Sequence, residues 1–182
     1  MALTTYVSGE ILTAASLNDN LAYAVTVPAS SPLTTATFNE TQASGTNGGT
    51  FTSGAWQKRT LNTTILNDIT SCTLTSSVIS LAAGTYMVNS SAPASGVNNN
   101  KVRLQNTTDS TTTILGTSER ITVATDSSSR SVLQGVFTIA GTKNFELQHY
   151  AVTTRASEGF GQATVISGIS EVYSTIQIVK VA

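Results

Sequence analysis

The chain holds one histidine, one cysteine and one tryptophan among 182 residues. Any chemistry it performs must therefore rest on few side chains. His149 sits between Leu147 and Ala151 at an inward position of an alternating run. It reads there as a buried, hydrogen-bonded core histidine rather than a general base. Serines are plentiful, but neither a G-x-S-x-G nor an S-x-x-K pattern occurs, so no nucleophile can be matched to a base. Glycoside hydrolysis needs two facing carboxylates, and the ten acids are scattered singly. The run Gly45-Thr46-Asn47-Gly48-Gly49 lacks the Lys-Ser/Thr and helix that complete a phosphate-cradling loop. Cys72 is alone, which excludes an intrachain disulfide or a cysteine-based zinc site. No EF-hand loop occurs, and Asp109 and Asp126 read as solvated loop acids. The residues point to no catalytic site, no cofactor and no metal.

Two kinds of binding residue remain. Trp56, just before Lys58 and Arg59, is either an aromatic platform for a glycan or a packing residue at a sheet edge. Asn98, Asn99 and Asn100, with Ser127 and Ser128, fall in two polar, uncharged stretches and are candidate surface contacts for sugar hydroxyls. Asn is also a common turn former. Charged residues are 10% and the net charge is −1, which gives no electrostatic footprint for nucleic acid or an anionic membrane. The first 57 residues contain no Lys or Arg and no long apolar run. That excludes the pattern of a secretory signal or membrane anchor. The Asn-x-Ser/Thr triplets at Asn39, Asn62, Asn89 and Asn106 would matter only in a eukaryotic secretory pathway.

The elements that position these residues are strands. Ser and Thr make up about 30% of the chain, a composition suited to exposed sheet surfaces. Residues 131–150 are the most regular stretch. Leu133, Phe137 and Ile139 alternate with Val132, Gln134, Val136 and Thr138; Phe145 and Leu147 alternate with Asn144, Glu146 and Gln148. With Ala140-Gly141-Thr142 between them, the two runs predict a β-hairpin. The outward face of the first run is too apolar for ordinary solvent surface. Thr34–Thr41, Trp56–Thr63, Thr85–Asn89, Lys101–Asn106, Ile114–Ser118, Ile121–Ala124 and Glu171–Val181 read as further strands. In the last, Val172, Ile176 and Ile178 are expected on one face and Tyr173, Gln177, Val179 and Val181 on the other. Ala43–Gly49 reads as a flexible turn and Lys58–Arg59 as a charged solvent edge. Eight to ten strands separated by polar turns predict an all-β sandwich or barrel over residues 34–182. Ahead of it, residues 1–33 read as an attachment segment. Thr13 is a plausible N-cap, and Leu17, Leu21 and Val25 share a face of a short helix over about 13–25, with Leu12 packing back on it. Pro28 and Pro32 separate that helix from the sheet region.

Two resemblances fit this division. Gly9-Glu10-Ile11-Leu12-Thr13-Ala14-Ala15-Ser16-Leu17-Asn18 resembles the short N-terminal segment of many bacteriophage tail-fibre proteins. Residues 45–181 resemble the C1q/TNF-like jelly-roll heads of phage structural proteins. The words that carry this include Gly48–Trp56, Arg59-Thr60-Leu61-Asn62, Ala83-Gly84-Thr85-Tyr86, Arg103-Leu104-Gln105-Asn106, Phe145–His149 and Glu171-Val172-Tyr173. The resemblance implies a jelly-roll β-sandwich, a homotrimer and a virion setting on the tail or capsid surface, and it brings no catalytic or ligand residues. A threefold arrangement of that kind would bury one sheet face, and Val132, Val136, Tyr173, Val179 and Val181 are the residues expected there. The reading is a non-enzymatic virion protein: a trimeric tail-fibre or spike head joined to other virion proteins through residues 1–33. Its expected use is host adsorption, with a host-surface glycan as a candidate partner. The alternatives are a capsid decoration or cement protein, and a carbohydrate-binding module outside any virus. Nucleic-acid binding and membrane insertion are not expected.

Overall fold

The computed structural model describes residues 33–123 and 127–181, all within the unit Leu33–Ala182. The expected attachment helix, with Leu12, Leu17, Leu21 and Val25, lies outside the described residues. Eleven strands are present among them, and no helix. They are β1 (Thr34–Gln42), β2 (Trp56–Lys58), β3 (Thr63–Asn67), β4 (Thr73–Thr75), β5 (Val78–Leu81) and β6 (Gly84–Ser95), then β7 (Asn99–Asn106), β8 (Thr111–Arg120), β9 (Ser128–Ile139), β10 (Lys143–Ala151) and β11 (Glu171–Lys180). One sheet runs β3-β1-β11-β6-β9; the other runs β4-β5-β10-β7-β8, with β2 also paired to β10. All pairings are antiparallel.

The core follows from period-2 alternation, because successive side chains point to opposite faces. Ala36 and Phe38 (β1), Ile176 and Ile178 (β11), Tyr86 and Val88 (β6) and Leu133 (β9) face inward from the five-stranded sheet. Val102 and Leu104 (β7), Phe145 and Leu147 (β10) and Ile79 and Leu81 (β5) meet them from the other. All are essentially excluded from solvent. Lys101 and Arg103 lie outward of Val102 and Leu104, as the alternation requires.

The expected hairpin at 131–150 is not one. The strands exist and bury the expected sides, but β9 pairs with β6 and β10 pairs with β7, β5 and β2. Ala140–Thr142 therefore carries the chain from one sheet to the other. Phe137 and Phe145 face each other across the sandwich, with ring centroids 5.2 Å apart. A hairpin would have put both strands in one sheet. Alternation fixes which side of a strand is buried, not which strand lies beside it.

Other strands differ in extent. Thr111–Arg120 is one strand, whereas Ile121–Val123 is not a strand. β8 carries a bulge: its register with β7 shifts between Lys101 and Arg103, where Ser118 and Leu115 are the partners. Gly116 lies in that bulge, and a Cβ on it would sit 2.4 Å from Val102 Cγ1. The distortion lets Val102 N donate to Ser131 Oγ at 3.0 Å, while Ser131 Oγ donates to the Thr117 carbonyl at 2.7 Å. One buried serine thus ties β9 to both β7 and β8 and closes that side of the sandwich.

Arg59, read from the sequence as part of a solvent edge, is only 1% exposed. Its backbone N donates to the Leu147 carbonyl at 2.8 Å, on the six-stranded sheet. Its side chain crosses to the other sheet. Nε donates to Glu40 Oε2 at 2.8 Å, with Nη2 2.6 Å from the same oxygen; Nη1 reaches the Pro93 carbonyl at 3.3 Å and Nη2 the Phe160 carbonyl at 2.7 Å. The Phe160 ring lies 4.3 Å from the guanidinium carbon and stacks on Phe51. Burial pulls the guanidinium below its ordinary pKa and Glu40 opposes that shift. Only Lys58 of the pair is at the surface.

Removing one partner of a buried ion pair strands the other charge. Arg59→Met should therefore cost about 3–5 kcal/mol by chemical denaturation. Glu40→Leu combined with Arg59→Met should recover much of that loss. A single-variant cost below about 1 kcal/mol would show that the pair is not structurally important.

Candidate functional site: the outer face of the five-stranded sheet

The registers of β1, β11, β6 and β9 place outward side chains in cross-strand rows. Thr35, Val179, Met87 and Val136 form one row. Thr37, Gln177, Asn89 and Gln134 form the next, in which Gln134 Nε2 and Asn89 Oδ1 are 3.5 Å apart. Asn39, Thr175, Ser91 and Val132 form a third. None of the twelve carries a charge. Met87 is 45% and Val136 63% exposed, and a groove of about 350 Å³ runs between the first two rows. At one end of this face Arg130 donates to Ser91 Oγ at 3.0 Å and to the Tyr173 carbonyl at 2.8 Å.

The opposite outer face is charged. Lys58, Lys101, Arg103, Arg120 and Glu146 lie on it, on β2, β7, β8 and β10. A solvated sheet face normally carries polar and charged residues. The two outer faces therefore differ in charge.

The expected members of that face divide. Val132, Val136 and Val179 are on it. Val181 follows β11, 40% exposed, with its N donating to the Thr85 carbonyl at 2.9 Å. Tyr173 is not on it. Its side chain is inside, 4% exposed, with the hydroxyl donating to the Thr46 carbonyl at 2.6 Å and pushed up to about 12 by burial. Val172 is outward in its place, 49% exposed. The register of β11 against β1 shifts here, with Asn39 opposite Thr175 but Thr41 opposite Val172. The extra residue buries both Tyr173 and Ser174 and reverses the parity of everything before it. Met87 was missed, although it stands between inward Tyr86 and Val88 in the sequence and alternation alone would have put it outward.

Of the expected sugar-contact residues, Asn98 lies in the turn between β6 and β7 with a φ of 65°, and Asn99 is exposed on β7. Asn100 is not a surface residue. It is 3% exposed, with Nδ2 donating to Ser129 Oγ at 3.0 Å and Oδ1 3.0 Å from His149 Nε2. Three consecutive asparagines suggested a loop, but strand alternation turns the third inward. Ser127 is partly buried, its carbonyl accepting from Gly96 N and Ser95 Oγ, and Ser128 begins β9 at the surface.

The side chains with chemical potential are otherwise engaged. His149 is fully buried against Phe51. Burial, and then the charge of Arg59, hold it well below the ordinary histidine value. Burial pushes the Cys72 thiol up to about 11. Asp109 binds Lys143 at 2.6 Å and Asn106 Nδ2 at 2.8 Å. The expected flexible turn at 43–49 is pinned: Glu171 Oε1 accepts from Gly45 N at 3.2 Å and Val165 N at 3.0 Å, while Oε2 accepts from Thr164 N and Oγ1. These donors hold the Glu171 carboxyl at about 2. Among the described residues no group of three or more His, Cys, Asp or Glu could hold a metal ion, and no helix is long and apolar enough to cross a membrane.

Two antiparallel sheets in these orders, packed face to face over a main apolar core, define a jelly-roll β-sandwich of the C1q/TNF-like kind. Solved structures agree with that class. Murine APRIL at pH 5.0 superposes with a TM-score of 0.53 at 9% identity, covering 82% of this chain and 99% of that one. The globular domain of zebrafish complement 1qA protein does so at 0.50 and 12%, covering 81% and 95%. The PRD1 vertex protein P5 matches at 14% identity with a TM-score of 0.47, covering 82% of this chain and 97% of that one. No family model and no curated protein matches the chain.

The buried histidine sets a pH dependence. The unfolded chain takes up a proton near the ordinary value of 6.5, whereas the folded chain resists it. The neutral-histidine contribution is therefore complete above 6.5 and is lost as the pH falls, with a slope of at most about 1.4 kcal/mol per pH unit. Chemical denaturation between pH 7 and pH 5 should show stability falling, and His149→Gln should flatten the slope. An unchanged slope would assign it to other groups.

Proposed function

We propose that this protein is a non-enzymatic structural component of a bacteriophage particle, with a homotrimeric jelly-roll head joined to the virion through residues 1–33 and used in host adsorption. The observation that carries the trimer is the uncharged outer face of the five-stranded sheet. A second and third copy of the same chain are the occupants that suit it. Around a threefold axis the row of Val179, Met87 and Val136 would meet its own kind. The row of Gln177, Asn89 and Gln134 would find amide partners of matching chemistry, as a buried polar row requires. Covering Met87 and Val136 is worth about 1–2 kcal/mol each. The virion setting is supported by the sequence resemblance of Gly9–Asn18 to tail-fibre segments. The non-enzymatic reading is supported by the burial of His149 and Cys72 away from any solvent-facing nucleophile and base pair.

Val136→Lys should disperse the trimer in sedimentation velocity. Because Val136 is 63% exposed, the separated subunit should still melt cooperatively. A monomeric wild type, or a Val136→Lys variant that stays trimeric, would remove this face from the interface.

Removal of residues 1–33 should leave a folded head that no longer joins particles. Electron microscopy with an antibody against the head should place label at the tail. Label on the capsid shell would instead support a decoration protein, and no label on either would rule out the virion reading.

A further inference from the structure

The outer face of the six-stranded sheet holds a second groove, of about 360 Å³, between β7, β8 and β10. Its walls include Asn99, Lys101, Ser118, Arg120, Tyr150 and Val152. The register makes it a continuous shelf: Trp56, Tyr150, Lys101 and Ser118 are cross-strand neighbours on β2, β10, β7 and β8, and Asn99 pairs with Arg120 in the next row. The backbone below is held, with Val152 N donating to the Asn99 carbonyl at 3.0 Å and Ile121 N to the Asn98 carbonyl at 3.1 Å.

The charges decide what it can bind. Of the nine Lys and Arg residues, Lys58, Arg59, Lys143 and Arg155 are paired with carboxylates. Arg130 is spent on Ser91 and Tyr173. Arg103 lies 4.1 Å above the Trp56 ring and donates twice to Gln148 Oε1. The side chains of Lys101, Arg120 and Lys180 have no hydrogen-bond or ion-pair partner among the described residues, and of these Lys101 and Arg120 line this groove. Glu119 is its one acid, and one of its oxygens already accepts from Thr117 Oγ1 at 2.8 Å.

We infer that this groove binds a carboxylate-bearing sugar unit of an acidic surface polysaccharide. Lys101 and Arg120 supply the charge-assisted donors for the carboxylate. Tyr150 and Val152 supply apolar surface for the C–H face of a pyranose ring, and Asn99 and Ser118 pair with its hydroxyls. The volume suits one or two sugar rings. The groove is on the sheet opposite the proposed threefold face, so it stays open in a trimer and would occur three times. The inference names the ligand class for the adsorption reading and rests on that reading for its setting. Binding by the purified protein can nevertheless succeed or fail independently of where the protein sits on a particle.

Isothermal titration of the full chain with tetragalacturonate, its methyl ester, tetramannuronate, a sialyl-oligosaccharide and glycerol phosphate oligomers tests it. At least one acidic sugar should bind saturably, with a Kd of about 0.1–1 mM per site, and weaken as salt is raised. The matched neutral ester should bind at least about tenfold more weakly. Lys101→Gln with Arg120→Gln should lose the acidic sugar by a similar factor, and Tyr150→Ala should lose both forms; unchanged melting temperatures would confirm that these variants fold. Trp56, the only tryptophan, adjoins Tyr150 and gives a fluorescence readout. Equal affinity for ester and acid, no effect of the charge-removing pair, stronger binding of the phosphate oligomers, or no saturable binding in the millimolar range would each overturn the inference.

Discussion

The contact between Arg59 and Glu40 holds the two halves of this sandwich in relation to each other. The Arg59 backbone N bonds to one sheet and its carboxylate partner lies on the other, and the guanidinium also gathers carbonyls from Pro93 and Phe160. Phe160 in turn stacks on Phe51, which leans on His149. The main apolar core and the smaller one around Phe51, Val97 and Ala151 therefore meet at a buried charge. A buried pair is weak evidence for net stability, because desolvation offsets attraction. Its use here is geometric. Five donors in a planar fork can satisfy three elements at once, and no apolar residue could.

The same geometry sorts the surface. With the core between the sheets, each sheet has one outer face, and the two differ sharply in charge. The five-stranded face presents apolar, amide and hydroxyl rows with no charge across twelve positions. The six-stranded face carries paired ions, a cation over an aromatic ring and two cations without partners. The proposed trimer would use the first and the proposed anionic ligand the second. A head that assembles through one face and binds through the other needs that separation, since a shared face could not serve both.

The alternation of Leu133, Phe137, Phe145 and Leu147 was legible because burial of one strand side is a local pattern. So were the inward His149 and the unusual outward Val132 and Val136. Three readings failed for one shared reason. The hairpin became a crossing between sheets, Tyr173 turned inward past a bulge, and Asn100 was buried by its strand. In each case the local pattern was sound, but strand partner, register or strand end was set by residues far away in the chain. Arg59 was misread because its partner Glu40 and the carbonyls it binds lie on separate segments.

By itself the sequence determined that the region from residue 34 onward is built of strands with one apolar side each, and that it carries few charges. Those follow from composition and period-2 patterning, which each strand carries within itself. Only the tertiary structure decided which strands are neighbours, where bulges reverse the pattern, and which cations remain without partners. Those depend on long-range pairing, where a one-residue slip moves a side chain from core to surface. The uncharged face exists because four strands distant in sequence bring Thr35, Val179, Met87 and Val136 into one row.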